Sequence, residues 1–302
     1  MDLRKLEVFC TLVELKSFTK TAEAVLLSQP TVSEHIRNLE HVLGQKLVDR
    51  LGRQVEPTPV GKILYTHARR ILRMQQEALQ AVEEYSGRIS GRIMIGCGTI
   101  PGTYLLPKLI SDFRMQYPEI KATLHISSSR TIARKVMEGN LELGVVGARW
   151  NEPSLDWKTI FSDELSLVVH PKHRWTKQHS IDCRQLIDEP FILRETGSGT
   201  RRVIAQFLRQ QGMQENDLQE VAEIGSTAAI KEAVKAGIGI SILSRRAITD
   251  DLECGRLATV SLNKLRITRP FYLIRRRKRQ LAPVATTFVD FLQDRADHQE
   301  KE

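Results

Sequence analysis

Apolar residues recur at three- and four-residue spacings from the start of the chain. Leu6, Phe9, Cys10 and Val13 mark the inward face of a helix over about Leu3 to Leu15. Thr19 is placed to cap a second, short helix that buries Ala22 and Val25. A tight turn at Leu27-Ser28 leads to a third helix, with Ser28 as its cap and Pro30 in its first turn, where backbone N–H groups lack partners anyway. Val32, Ile36, Leu39 and Leu43 form that helix's apolar stripe, and Gly44 ends it. A longer pattern from Val60 to Tyr85 repeats Leu64, Ile71, Ala78 and Tyr85 every seven residues, with Ala68 and Val82 as companions and Gln75 interrupting. That spacing predicts a helix with a pairing seam.

From Arg92 the period changes. Short strands over 92–96, 121–126 and 141–146 alternate with helices over 103–117 and 131–138. A second unit shows strands at 165–169, 191–193, 220–224 and 238–243, with helices after Gly199 and over 228–235. A strand at 271–274 and a helix over about 283–292 return to the first unit. The alternation predicts parallel α/β sheets in two lobes joined by two crossovers. The expected organisation is a helical head over 1–59, a linker helix and hinge over 60–90 (the hinge at Gly87–Gly91), and a two-lobed domain over 91–302. Lobe 1 takes about 91–161 and 268–302, and lobe 2 takes 162–267.

Composition narrows the class. The four cysteines (Cys10, Cys97, Cys183 and Cys254) are scattered, with neither a metal-binding spacing nor a disulfide framework, and Cys97 reads as a small buried residue ending a strand. No apolar run approaches a membrane span, and the first residues open into an amphipathic helix rather than a leader, so a cytoplasmic location is expected. The net charge is +9, but residues 1–60 hold eight basic and eight acidic side chains. Any nucleic-acid contact by the head must therefore come from local arrangement and helix N-termini, not bulk charge. The Arg275–Arg279 run reads as a solvated strand edge or interface.

The third helix leaves Gln29, Thr31, Ser33, Glu34, Arg37 and Asn38 on its outer surface, and a basic hairpin follows it. This is how a chain presents a helix to the major groove with a wing beside it. Ser28, Gln29, Pro30, Thr31, Ser33 and Arg37 on the helix, with Arg50, Arg53 and Thr58 near the wing, are the candidate contacts to base edges and phosphates. Phe9 through Ser17-Phe18, Thr21-Ala22-Glu23, Leu27-Ser28-Gln29-Pro30-Thr31-Val32-Ser33, Ile36, Leu39-Glu40, Leu43-Gly44, Leu47, Arg50 and Thr58-Pro59-Val60-Gly61 carry a resemblance. The chain resembles LysR-type transcriptional regulators over nearly its whole length. One departure is Val48, where that family usually has Phe, a change expected to loosen the wing slightly.

The resemblance implies a winged helix-turn-helix, a dimerising linker helix and an effector domain similar to periplasmic solute-binding proteins. It also implies double-stranded promoter DNA as partner, a homodimer or homotetramer, and a small effector, with RNA polymerase as a further partner and activation the favoured sign of control. In the effector domain, five turns rich in glycine and hydroxyls end strands or open helices, around residues 98–103, 127–130, 147–149, 195–201 and 225–227. Helix N-termini and hydroxyls together suit a small anion. The candidate contacts are Thr99, Ile100, Pro101, Ser128, Ser129, Thr196, Gly197, Ser198, Thr200 and Thr227, with Arg149 and Arg201 as charge partners. Two of the turns look like the branch of the family that includes sulfur-assimilation regulators, which suggests sulfite, sulfate or a related oxyanion. A regulator answering to a small carboxylate is the alternative, as is a transport receptor of the same two-lobed fold. No enzyme is expected: Pro101 replaces the third glycine of a dinucleotide-binding turn, no P-loop is present, and no catalytic or metal-binding set appears.

Overall fold

Capping residues set the limits of the N-terminal helices. The computed structural model describes residues 2–51, 54–85, 90–263 and 265–299, and the chain divides into two units, Met1–Arg88 and Ile89–Glu302. Helix α1 (Leu3–Leu15) starts on Asp2, whose carboxylate accepts the Lys5 N–H at 2.8 Å. Helix α2 (Phe18–Ala24) starts on Ser17 rather than Thr19: Ser17 has the extended backbone of a cap and accepts the Lys20 N–H, while Thr19 already lies inside the first turn. Helix α3 (Gln29–Leu43) is capped by Ser28 and ends at Gly44, whose φ of 63° is one that glycine adopts without strain. Leu6, Phe9, Leu12, Ala22, Val32, Ile36 and Leu39 close one core, whereas Leu43 at the helix end is exposed.

Strands β1 (Val48–Leu51) and β2 (Gln54–Pro57) form the expected antiparallel hairpin, and Val48 is buried in the head core without an aromatic ring. Thr58 is not a wing surface residue. Its hydroxyl donates to the Lys46 carbonyl at 2.7 Å and accepts the Gly61 N–H at 3.0 Å, so it caps helix α4 (Pro59–Tyr85) from a buried position. A side chain at Gly61 would bring Cβ within 2.0 Å of the Leu47 carbonyl oxygen, so the α4 start is pressed against the chain that enters β1. Leu64 and Ala68, two of the expected seam residues, pack instead into the head core with Tyr65 and Leu72. The exposed apolar row is Ile63, Ile71, Met74, Ala78 and Val82, which falls within about 100° of the helix circumference at 3.6 residues per turn. The Tyr85 side chain, residue 86 and residues 87–89 of the expected hinge lie outside the described residues.

In the second unit β3 (Gly91–Cys97) leads through a wide helical turn at Pro101–Leu105 into α5 (Leu106–Gln116), β4 (Ile120–Ile126), α6 (Ser129–Met137) and β5 (Leu143–Val146). The long β6 (Leu155–Val169) then crosses to β7 (Pro190–Arg194), α7 (Gly199–Gln210), β8 (Gln219–Ile224), α8 (Thr227–Lys235), β9 (Ser241–Ser244), α9 (Arg245–Glu253) and β10 (Ala258–Val260). Strand β11 (Ile267–Arg276) returns, and α10 (Pro283–Gln299) closes the fold. As expected, β3 pairs in parallel with β4 and β5, and β7 with β8. The two expected crossovers are themselves strands of the sheet. β6 and β11 pair antiparallel from Leu155↔Arg276 to Leu165↔Ile267, with a register shift at Phe271/Tyr272, and β11 also pairs with β5. Among the described residues this makes one mixed seven-stranded sheet that runs through both lobes. Each lobe keeps its own core, around Phe113, Phe288 and Leu292 in lobe 1 and around Trp175, Phe191 and Phe207 in lobe 2.

Candidate functional site

Helix α3 presents Gln29, Ser33 and Arg37 at four-residue intervals, so the three side chains share one face. Gln29, Pro30 and Arg37 are exposed, and Ser33 is half-buried. Ser28 and Thr31 are engaged in the cap, their hydroxyls 2.8 Å apart, which leaves them able to reach a phosphate only at the helix start. The adjoining face carries Val32, Ile36 and Leu39 into the core, which fixes the helix in place. Arg53 and the Arg50 side chain lie outside the described residues.

The second site is the cleft between the lobes. Thr99, Ile100 and Pro101 after β3, Ser128 and Ser129 at the start of α6, and Ser198 and Thr200 at the start of α7 line one cavity with Gly98, Gly147 and Gly199. Two arginines that the strand pattern hid supply its charge. Arg194 ends β7 and is buried: its guanidinium makes a two-pronged pair with Glu195 (2.9 and 2.9 Å) and donates to the Thr227 hydroxyl (2.7 Å), to the Gly225 carbonyl (3.1 Å) and to the Thr99 hydroxyl across the cleft (3.4 Å). Arg269, on β11, is buried against Asp163 on β6, with bonds of 2.9 and 2.7 Å, and donates to the Thr200 hydroxyl at 2.9 Å. Burial pushes the Arg269 guanidinium down from its ordinary pKa, and the Asp163 carboxylate opposes that shift. Asp163 also accepts the Ser244 hydroxyl at 2.9 Å.

The cleft is nearly closed, with an interior volume of about 10 Å3, room for roughly one water molecule. Contacts between the lobes account for this. The Arg130 N–H at the start of α6 donates to the Gly197 carbonyl at 3.2 Å, and Arg202 donates to the Arg149 carbonyl at 2.9 Å. Gly199 sits so close to lobe 1 that a Cβ there would come within 2.7 Å of the Ser129 hydroxyl.

Several expected residues stand elsewhere. Arg201 turns away from the cleft and pairs with Glu215 and Glu223, so its charge is already met. Arg149 is exposed and borders a separate groove, because the chain turns outward after Gly147. Thr196 and Gly197 line a neighbouring depression with Arg130 and Arg134. Thr227 is buried behind Arg194 and orients it rather than facing the cavity. Cys97 is fully buried, and burial pushes its thiol up to about 12, so it is unreactive at neutral pH. The one sequence signal that marks Arg194 is a charge closing an otherwise apolar strand, Phe191-Ile192-Leu193-Arg194.

Comparison with known proteins matches both parts. Residues 3–62 match the model "Bacterial regulatory helix-turn-helix protein, lysR family", and residues 86–297 match "LysR substrate binding domain". The chain is 35% identical over 289 residues to the "Probable RuBisCO transcriptional regulator" of Cyanidioschyzon merolae, covering 95% of each. It is 30% identical over 290 residues to the "HTH-type transcriptional activator CmpR" of Synechocystis sp., covering 96% of this chain and 94% of the relative. Among solved structures, the CcmR regulatory domain of Synechocystis PCC6803 in complex with 2-PG superposes with a TM-score of 0.63 at 26% identity, over 68% of this chain and 98% of that one. Full-length CbnR complexed with its target DNA shares the fold at a TM-score of 0.73, with 20% identity, over 98% of this chain and 100% of that one. With a helix-turn-helix head and a two-lobed effector domain both matched, the chain belongs to the LysR family of DNA-binding transcriptional regulators.

Proposed function

We propose that the chain is an effector-responsive transcriptional activator that acts by binding, not by catalysis, and that its effector is a small molecule bearing a carboxylate or phosphate. The observation that carries the effector class is the cleft: two buried arginines and a set of hydroxyls from facing helix starts converge on one cavity. Such a donor set suits an oxyanion. The CcmR domain's complex with 2-PG supports a ligand in this domain, and the regulators named above concern RuBisCO and CmpR rather than sulfur assimilation. A sulfur oxyanion therefore ranks below a carbon-based anion. The activator sign follows CmpR. The exposed row Ile63, Ile71, Met74, Ala78 and Val82 on α4 is the surface through which two chains pair, so that two heads can read two half-sites, and two such dimers form a tetramer.

The test is a footprint of the purified protein on its own upstream DNA, at stated salt, with and without 2-PG, sulfate and sulfite. Arg37→Ala and Gln29→Ala are expected to weaken specific binding by about 1–3 kcal/mol each, roughly 5- to 150-fold. Arg194→Met is expected to leave the footprint in place and abolish its response to the anion. Unchanged DNA affinity in both head variants overturns the reader assignment, and an anion response that survives Arg194→Met overturns the cleft assignment.

A further inference from the structure

A second concavity lies beside the cleft, between α7 of lobe 2 and β11 with the turn after β5 of lobe 1. It has a volume of about 390 Å3, within the ordinary range of small-molecule sites. Arg149, Arg202 and Arg266 rim it, Gln206 and Gln210 project from α7, and Tyr272 forms part of its floor. Among the described residues no carboxylate lines this groove. That sets these three arginines apart from others in the same unit: Arg269, which also borders the groove, pairs with Asp163, Arg174 with Glu189, Arg201 with Glu215 and Glu223, and Arg256 with Asp251. Arg202 stands over the Trp150 ring at 5.1 Å and donates to the Arg149 carbonyl, so its guanidinium is held in place without a counter-charge. Three cations facing one concavity repel each other, and a multiply charged anion offsets that repulsion.

We infer that this groove is a second ligand site, distinct from the cleft, for a small molecule carrying two or more phosphate groups. Guanidinium groups present forked donors that match phosphate oxygens in pairs, and glutamine amides add neutral donors between them. A monoanionic carboxylate satisfies one of the three arginines and leaves the other two opposed. The two walls belong to different lobes, so a bound polyphosphate bridges them and favours the closed arrangement, with Gly147 and Arg269 bordering both sites. The inference does not rest on the cleft's being the primary effector site.

Calorimetric titration of the full chain with inorganic pyrophosphate, at fixed ionic strength, tests it. Wild type is expected to bind saturably. The double variant Arg202→Gln/Arg266→Gln changes exposed side chains and is expected to lose at least ten-fold in affinity, while Arg194→Met in the cleft retains it. Absence of saturable binding in wild type, or equal binding by the double variant, overturns the inference. Loss of pyrophosphate binding in Arg194→Met also overturns it, since the ligand then sits in the cleft. The same variants titrated with 2-PG separate the two sites: 2-PG binding lost in Arg194→Met alone belongs to the cleft and leaves the groove standing or falling on pyrophosphate.

Discussion

Asp163→Asn tests whether the buried pair at the crossovers holds the effector domain together. Asp163 and Arg269 have almost no exposed side-chain surface, 0% and 2%, and they join the two strands, β6 and β11, that connect the lobes. The substitution keeps the shape and removes the charge, leaving the Arg269 guanidinium buried beside no carboxylate. Breaking one side of a buried ion pair costs about 3–5 kcal/mol, because the desolvation of the survivor is no longer offset. Arg194 adds a like charge that makes the survivor worse off. Trp150, Trp157 and Trp175 all lie in the second unit, so tryptophan emission during urea unfolding reports on that unit alone. With a denaturant slope of about 2–3 kcal/mol/M, the midpoint falls by roughly 1–2.5 M. The double variant Asp163→Leu/Arg269→Met removes both charges and is expected to recover most of that loss. What remains is about 1 kcal/mol each for the hydroxyls of Ser244 and Thr200, which lose their partners, together with the longer 3.7 Å contact from partly exposed Arg246. A cost below about 1 kcal/mol for Asp163→Asn, or a double variant as unstable as the single one, refutes the reasoning.

Two further outcomes are expected. Asp251 accepts from Lys231 (2.7 Å) and pairs with Lys235 (2.8 Å); burial alone raises its pKa, but these hydrogen bonds outweigh it and bring the carboxyl down to about 2. A depressed folded-state pKa gives stability that is complete above the unfolded value and lost as pH falls through the folded one, so the advantage of wild type over Asp251→Asn, about 2 kcal/mol at pH 7, shrinks between about pH 4 and pH 2. A gap that stays constant over that window contradicts the assignment. Gly199→Ala places a Cβ within 2.7 Å of the Ser129 hydroxyl and 3.0 Å of the Gly147 backbone, which forces the lobes apart at the cleft; because ligand entry requires that same separation, 2-PG affinity is expected to rise about ten-fold with the far-ultraviolet circular dichroism unchanged, and unaltered affinity sinks the role of that close approach.

The head was legible because each of its devices is local. Helical spacing placed Phe9, Val32 and Ile36 in the core, and Ser28 and Gly44 bounded α3 through chemistry that needs no distant partner. Thr58 misled because a hydroxyl after a basic hairpin looks the same in sequence whether it meets a phosphate or caps the next helix. The cleft turns were legible for the same local reason, since glycine and hydroxyls at strand ends announce helix starts. The charge in the cleft was not. Arg194 and Arg269 sit within strand runs, where a cation reads as an exposed edge, and only the partners Glu195 and Asp163 make their burial tolerable. One of those partners is 106 residues away in sequence. The stretch of β6 from Leu155 to Glu164, with Asp156, Lys158, Asp163 and Glu164, alternates too much polarity to suggest a strand that both β11 and lobe 2 require.

The closed cleft constrains how an effector acts. A cavity of about 10 Å3 admits no metabolite, so an effector that binds there as proposed must separate contacts that now hold the lobes: Arg269 to Thr200, Arg130 to Gly197, and Arg194 to Thr99. An anion bound in the cleft as proposed replaces the two arginine bonds, since Arg269 and Arg194 line the cavity and each is left with a free donor there. The ligand therefore gains affinity only from donors that closure had occupied, and the difference between those two sets of bonds is the free energy available to shift the domain. The crossovers decide what kind of shift follows. β6 and β11 are paired along their length except at the register change between Phe271 and Tyr272, the place where two paired strands can alter their twist without losing the ladder on either side. With the effector in the cleft as proposed, the expected motion is a twist of one lobe against the other about that bulge rather than a free hinge opening, because a free hinge would have to unpair the ladder from Leu155 to Leu165.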